Sequence, residues 1–530
     1  MARRTDLSQK MKRREFLGTL AVMGGAAALG TASPRVPAAA AVTAVKRGGT
    51  LNWAETQEFN SFNPWGLNAA NMIMQNVLYN RMVALGKDGK PQGHLAESWN
   101  LASDAKSITI KLRPGLKWHD GKDLNADSIV DHLDYAKDPS MAKNFGVNRL
   151  AGLLPKGMTI ETPDKATVVL KFLQPTPAIF DILDYWYIGR IDDRSDPDCL
   201  KKLVSGTGPF KLVEWVTGSH SRYQRFDGFW NKGLPNLDGL VIKRLEKGET
   251  LAPNLRAKAA DIVAHMPVVD TDLVRKDPNY DVFMNEGNGV HMHLMLNPKK
   301  PPFDKLKVRQ ALAHAINREE IIRTAWFGVG SPISSPWYSP VSLAYVPSLV
   351  KAYPYDLRQA RKLLDEAEIK TLEINTFANT GWPEDKVTLQ LLQADWANIG
   401  IKLNFSEVQT SQYYDRRFSG DFDFLLWFNA RALRDPYIFL GTQSEITGHG
   451  VPYGITSAAL DKLTREGAAE VDPEKRRKIY QEANRIIVEE LCTCLWYRTR
   501  PYIYGAAKYS KDWTWDLLGH IVFDNAWLDK

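Results

Sequence analysis

The chain has 530 residues and a formal net charge of +7, from 68 Lys and Arg against 61 Asp and Glu. With 44% apolar and 24% charged residues, 37 Gly, 29 Pro and 3 Cys, it is neither a disordered tail, a collagen-like repeat nor a disulfide-stapled miniature. No apolar run reaches the ~18–20 residues of a membrane span, and at roughly 150 residues per domain the length predicts about three domains.

Residues 1–44 hold seven basic residues (Arg3, Arg4, Lys10, Lys12, Arg13, Arg14 and Arg35) and two acids, Asp6 and Glu15. Five of the seven units of net charge therefore lie there, and the remaining chain is nearly neutral at +2. A basic start, a weakly apolar stretch over 17–29 and small residues at 38–40 and 42–44 form the three-part layout of a secretory signal peptide. The pair within Arg13-Arg14-Glu15-Phe16-Leu17 resembles the twin-arginine export signal. The competing reading, an amphipathic N-terminal helix, lacks a polar face around Gly24-Gly25 and the alanine run. No Cys precedes Cys199, so no lipid anchor is expected, and the cleaved protein is expected free in a periplasm. With the basicity assigned to an export segment, a nucleic-acid partner loses its support.

Beyond this segment, strand-like runs alternate with capped helices, which predicts an α/β fold. Residues 109–112 and 167–170 read as strands beside the turn residues His119-Asp120-Gly121 and Thr162-Pro163-Asp164. Val308, Ala311, Leu312, Ala315 and Ile316 recur at helical spacing, and Asn317 opens a second helix with Glu320 as capping-box partner. Asp356 caps a helix carrying Ala360, Leu363, Leu364 and Ala367; Pro383 suits the first turn of the next, and Gly400 its stop. Asp472-Pro473 opens another with Ala483, Ile486 and Ile487 on one face. Cys492 and Cys494, two apart at a strand end, are poorly placed for a disulfide and read as buried thiols. No repeat, heptad array or low-complexity linker is present, so domain boundaries are expected to be compact crossings.

No Gly-x-Ser-x-Gly, His-Glu-x-x-His or phosphate-loop pattern occurs. Gly206-Thr207-Gly208-Pro209 is glycine-rich, but Pro209 lacks an amide donor and no Lys-Ser/Thr follows. With 61 acids, counting alone leaves a glycosidase open. His291, His293 and Met295 share a strand face, a spacing that a soft metal or haem could use, but core packing is the expected reading and no metal site is expected.

An ordered series of runs carries a resemblance over nearly the whole chain after the export segment. It begins at Gly48-Gly49-Thr50-Leu51 and His94-Leu95-Ala96-Glu97-Ser98-Trp99. Its most specific run spans 111–121, ending Trp118-His119-Asp120-Gly121, followed by Gly206-Thr207-Gly208-Pro209-Phe210 and Phe229-Trp230. Pro301-Pro302-Phe303-Asp304 leads into Val308-Arg309-Gln310-Ala311 and Ala315-Ile316-Asn317-Arg318-Glu319. Tyr355-Asp356, Leu363-Leu364, Ile399-Gly400-Ile401 and Gly420-Asp421-Phe422-Asp423 complete it. The order resembles the extracytoplasmic solute-binding proteins of ABC importers, family 5, which include dipeptide, oligopeptide and nickel receptors. The resemblance implies a two-lobed α/β binding protein (type II, cluster C-like) with an extra subdomain. Lobe 1 would span 45–287 with an insertion at about 62–205, lobe 2 residues 288–502, and 503–530 would return to lobe 1. It also implies a solute held between the lobes by hinge closure, an ABC permease with two ATPase subunits as partner, a monomer, and neither cofactor nor catalysis. Arg309 would form a lobe salt bridge.

In peptide-binding members, a Trp three residues before an amine-pairing Asp precedes a further Asp-Pro. Here Trp427 and Asp435-Pro436 fit, but Ala430 stands at the amine-binding position, with Arg431 and Arg434 close by. A methyl group cannot compensate a desolvated ammonium, whereas a guanidinium grips a carboxylate or phosphate bidentately. Either the two arginines face an anionic solute or they are solvated loop residues, and either Asn429 or Asp435 replaces the missing acid. Trp65, Trp337, Trp382 and Asn379 lie in loop-like segments that either wall the pocket or pack beneath loops. The expected solute is peptide-like or acidic and organic. An oligosaccharide, an opine or sugar phosphate and a chelated metal are the alternatives, and a periplasmic hydrolase is a remote one.

Overall fold

The computed structural model describes residues 44–57, 62, 64, 69–137, 153–190, 205–286, 290–429, 434–442, 447, 451–517 and 519–530. The expected export segment up to residue 43 and Cys199 lie outside the described residues. Residues 45–530 form one compact unit.

The first sheet has seven strands and is mixed. Thr50–Glu55 at its centre runs parallel to Gly239–Arg244 and Ile262–Ala264. The late strand Tyr502–Ala507 returns to it, antiparallel to Ile262–Ala264 and Tyr280–Asn285. Leu51, Trp53, Leu240 and Tyr504 are buried against this sheet. A separate antiparallel sheet of four strands, from Ala96–Leu101 to Thr167–Lys171, has its own core of Ile108, Ile110, Leu133, Val168 and Leu170. The strands expected at 109–112 and 167–170 are Ser107–Leu112 and Thr167–Lys171.

A three-stranded sheet is centred on His291–Leu296, buried at all six positions and flanked antiparallel by Phe424–Asn429 and Cys494–Thr499. Beside it, Leu372–Asn379 and Ile401–Val408 pair in parallel. This pair is joined to strand 424–429 by the Asn375 amide, which donates to Asp423 Oδ2 at 2.8 Å, and by the Thr376 hydroxyl, which donates to the Phe424 carbonyl at 2.5 Å.

Local chemistry explains the helices packed on it. Asn317 accepts from the Glu320 amide at 3.1 Å and opens Arg318–Ala325. Asp356 accepts from two amides of Leu357–Glu366, and Asp472 from two of Pro473–Arg485. Pro383 is the first residue of Pro383–Ala397, and Gly400, at φ +79°, takes the turn into Ile401–Val408.

Four expectations need correction. The Glu320 carboxylate bonds Arg323 and Thr324, so the reciprocal half of the capping box is not made. Ile486 and Ile487 lie in a π-turn, Ile486–Leu491, that continues the preceding helix. Cys492 is not on a strand; it sits at φ +45° after that turn, and both it and Cys494 are buried. Arg309 bonds three backbone carbonyls, of Leu491, Phe303 and Asp304 at 2.7–2.8 Å, in place of a salt bridge.

The most specific sequence run also finds a structural role. His119 Nε2–H donates to the Gly208 carbonyl at 3.1 Å, while the Gly206 amide donates to Nδ1 at 3.3 Å. Burial lowers its pKa to about 4, so the ring is neutral and bridges the Trp-His-Asp-Gly turn to the glycine run. A Cβ on Gly206 or Gly208 would press into the backbone of Leu78 and Val77 at 1.9 and 2.5 Å. The glycines permit a close chain crossing, and the Gly208 amide is spent on the Leu78 carbonyl rather than held for a phosphate.

Candidate functional site

Strands 424–429 and 494–499 run the same way because both are antiparallel to 291–296. Strand 372–379 joins them in that direction: its first half bonds Asp423 and Phe424, and Trp382, just beyond its end, meets Trp427 and Phe428. The carboxyl ends of three strands therefore share one edge, beside the chain crossing at Val290 and Arg500 (whose amide donates to the Val290 carbonyl at 2.9 Å). Loops leaving such an edge commonly build binding sites in α/β folds.

Aromatic rings wall this edge. Trp427 stacks on Phe428 at 5.4 Å and 18°, and Trp382 meets them edge-on at 6.2 and 5.7 Å. Tyr413 and Tyr414 of helix Thr410–Ser419 close over Trp427 at 6.5 and 5.6 Å. Two guanidiniums lie on the wall: Arg417 at 4.1 Å above the Trp427 ring and Arg500 at 4.7 Å above Phe428. Stacking of this kind holds a cation flat on an apolar surface while leaving its edge able to donate.

Buried polar atoms sit behind and beside the rings. Asn379 accepts from the Gly381 amide at 2.8 Å and the Thr410 hydroxyl at 2.9 Å, but its Nδ2 has no partner. Asn429 Nδ2 is likewise unpartnered, as are both ring nitrogens of His293 and the indole nitrogens of Trp337 and Trp496. Each buried donor without an acceptor costs about 1–3 kcal/mol, so this collection is expensive for the protein alone. Desolvation, then His291 and Arg417, holds the His293 pKa well below the usual imidazole value, which makes the ring neutral. Asp385, buried in the first turn of helix 383–397, has neither carboxylate oxygen closely partnered. Burial and then Glu384 push its pKa well above the usual carboxylate value, against the opposing pull of Arg500 and the Asn379 amide.

The structure thus brings Asn379, Trp382, Trp427 and Asn429 to one edge, with Trp337 behind it against Phe439 at 5.2 Å. Trp65, Ala430 and Arg431 lie outside the described residues. Arg434 is neither a solvated loop residue nor an open anion grip: its guanidinium makes a bidentate pair with Asp181 of the short helix Ile179–Leu183. Asp435 is fully buried and paired bidentately with Arg476 at 2.5 and 3.0 Å, so it does not stand in for an amine-binding acid. The following helix, Pro436–Thr442, packs Ile438 into the core of the four-stranded sheet.

Sequence reasoning missed Arg417, Arg500, Asp385 and Trp496. The signals present were modest: a polar residue in the first turn after Pro383, and Arg500 just before a proline that ends a strand. His291 and His293 share a buried face with Trp496, and Met295 follows them. Among the described residues no group of three or more His, Cys, Asp or Glu side chains is placed to hold a metal ion.

Comparison with known proteins agrees with this architecture. The family described as bacterial extracellular solute-binding proteins, family 5, matches residues 90–449. The glutathione-binding protein GsiB of Escherichia coli (strain K12) is 30% identical over 367 residues, covering 67% of this chain and 68% of that protein. Among solved structures, the periplasmic binding protein AgaA of A. tumefaciens R10, in complex with agropinic acid, superposes with a TM-score of 0.75 at 25% identity, covering 91% of this chain and 99% of AgaA. The substrate-binding protein CtaP of Listeria monocytogenes shares the fold, with a TM-score of 0.82 at 21% identity over 92% of this chain and all of CtaP.

Proposed function

We propose that this chain, which belongs to the bacterial extracellular solute-binding proteins of family 5, captures an acidic organic solute and hands it to the permease of an ABC importer. The observation that carries the acidic solute is the ring wall with the Arg417 and Arg500 guanidiniums lying on Trp427 and Phe428. A carboxylate entering there meets charge-assisted donors held in place by stacking, and flat apolar parts of the same molecule meet the rings. The glutathione and agropinic acid in the names of the two relatives are consistent with such a solute. In this reading the solute lies between a lobe built on the first sheet and one built on the three-stranded sheet, near the crossing at Val290 and Arg500, with Asn379, Trp382, Trp427 and Asn429 lining it. Only a solute that touches both lobes can favour their closure. Arg434 with Asp181 contributes to holding the lobes together rather than to solute chemistry. The twin-arginine-like segment exports the protein to a periplasm, where it acts as a monomer with a permease and two ATPase subunits.

Mass spectrometry of the small molecule released from protein purified without denaturation tests the reading. The expected result is an organic acid returned chemically unchanged on incubation. A neutral oligosaccharide, or turnover of the released molecule, contradicts it.

A further inference from the structure

Behind the ring wall, the sheet face that carries His291 and His293 holds a second, chemically different feature. Alternation along strand 291–296 puts both histidines on one face. Asn429 stands opposite His291 in register, and Trp427 and Trp496 stand opposite His293. Ring centroids tie the group together: His293 lies 6.1 Å from Trp496 and 5.9 Å from His291, which is 5.9 Å from Phe439, itself 5.2 Å from Trp337. Trp337, Trp496, His293 and Asn429 are each at least 95% buried, and each presents an N–H group that meets no acceptor.

The inventory of these atoms is one-sided. An indole nitrogen and an amide nitrogen can only donate, and a neutral imidazole adds one further donor against a single acceptor. Asn429 is the last residue of its strand, which places this end of the cluster at the strand-end edge. At the same edge the Tyr338 hydroxyl, 6.5 Å by ring centroid from His291, donates to the carbonyls of Glu286 and Val290 at the chain crossing.

We propose that this donor cluster is a second anchoring subsite of the solute pocket, in which Trp337, Trp496, His293 and Asn429 receive a carboxylate through neutral N–H donors. The proposal rests on the solute-receptor reading and adds to it the place where one acidic end of the solute is buried. The guanidiniums stack on the ring wall and the uncharged donors are buried, so in this proposal a solute with two acidic ends engages both. Ordered water is the competing occupant.

The test uses the exported chain, freed of solute, with glutathione and agropinic acid as probes in titration calorimetry. His293→Phe keeps the ring contacts and Asn429→Leu the volume, and each removes one donor. Each variant is expected to lose about tenfold or more in affinity for the probe that binds, while the melting temperature of the solute-free protein holds or rises, because an unmet polar group has been removed. A second readout needs no variant: in protein labelled with 15N-tryptophan, two buried indole N–H resonances should move downfield when the probe binds. Affinities within about twofold of the parent, with indole resonances unmoved, overturn the subsite and leave the receptor reading standing. A fall of more than about 5 °C in the solute-free melting temperature also overturns it, since the donors would then be satisfied within the fold. If neither probe nor the co-purified molecule binds the parent protein, the receptor reading fails and the subsite with it.

Discussion

At Arg434 and Asp435 each charge has a partner, whereas at the strand ends a few residues earlier several buried polar atoms have none. The two regions meet in sequence only at 427–435, since the edge also draws on Asn379, Trp382, Arg417 and Arg500, and they answer different demands. Asp435 is closed off by Arg476, and Arg434 by an acid 253 positions away. A bidentate pair buried in this way fixes two chain segments against each other and has little capacity left for a ligand. At the ring-walled edge two guanidiniums stack on aromatic rings, and the buried N–H groups of Asn379, Asn429, Trp337 and Trp496 meet no acceptor. On the proposed reading, incomplete satisfaction in one place and complete satisfaction beside it separate the part that would bind from the part that holds.

Substitutions can break that separation. The largest expected effect is on the closed region: Asp435→Ala leaves the Arg476 guanidinium buried and alone, and urea denaturation should show a loss of about 3–5 kcal/mol. At the open region, Arg417→Met and Arg500→Met should each weaken binding of an acidic solute by about 1.5–3 kcal/mol in calorimetry, with smaller changes in stability. A loss of stability as large as that of Asp435→Ala would put both regions in the same structural class.

Asp385 gives a pH-dependent comparison. Its pKa is raised by burial, so the folded protein binds that proton more tightly than the unfolded chain does. The contribution is fully present below the ordinary Asp value of about 3.9 and is lost as pH rises through the higher folded value. Asp385→Asn should therefore flatten the fall in urea midpoint between acidic and neutral pH and be neutral or stabilising at pH 7. An unchanged pH profile would mean that the carboxylate stays ionised in the folded protein. The smallest effect concerns selectivity: Arg434→Met should lower stability by about 1–3 kcal/mol but shift affinities for acidic and neutral probes alike. A selective loss for acidic probes would return Arg434 to the solute.

Much of the fold was legible because its signals are local. Asn317, Asp356, Asp472 and Pro383 each act within one turn, so their helices could be placed from spacing alone. The exception is instructive: the Glu320 side chain chose Arg323 and Thr324 over the helix start, a competition among neighbours that spacing does not rank. The strand-end edge was legible in the strand-borne Trp427 and Asn429 and in the segment after Asn379, which the structure brings together. It was not legible in its charges. Arg434 was credited with a free guanidinium because Asp181 is distant in sequence, and Arg309 with an acid when it has three carbonyls. Arg417 sits in a helix beside Arg416, from which sequence does not distinguish it, and the packing of that helix on Trp427 sets it apart. The two histidines were visible as polar breaks in an apolar strand, but whether they bind, pack or hold metal depends on what their nitrogens meet across the sheet.

The central claim is that stacked guanidiniums at the strand-end edge select an acidic solute. Titration calorimetry of the solute-free exported protein, and of its Arg500→Met variant, with agropinic acid and with a neutral dipeptide tests it most directly. The account predicts that the parent prefers the acid by about tenfold or more and that the variant loses most of that preference. Tighter binding of the dipeptide, unaffected by Arg500→Met, would contradict it.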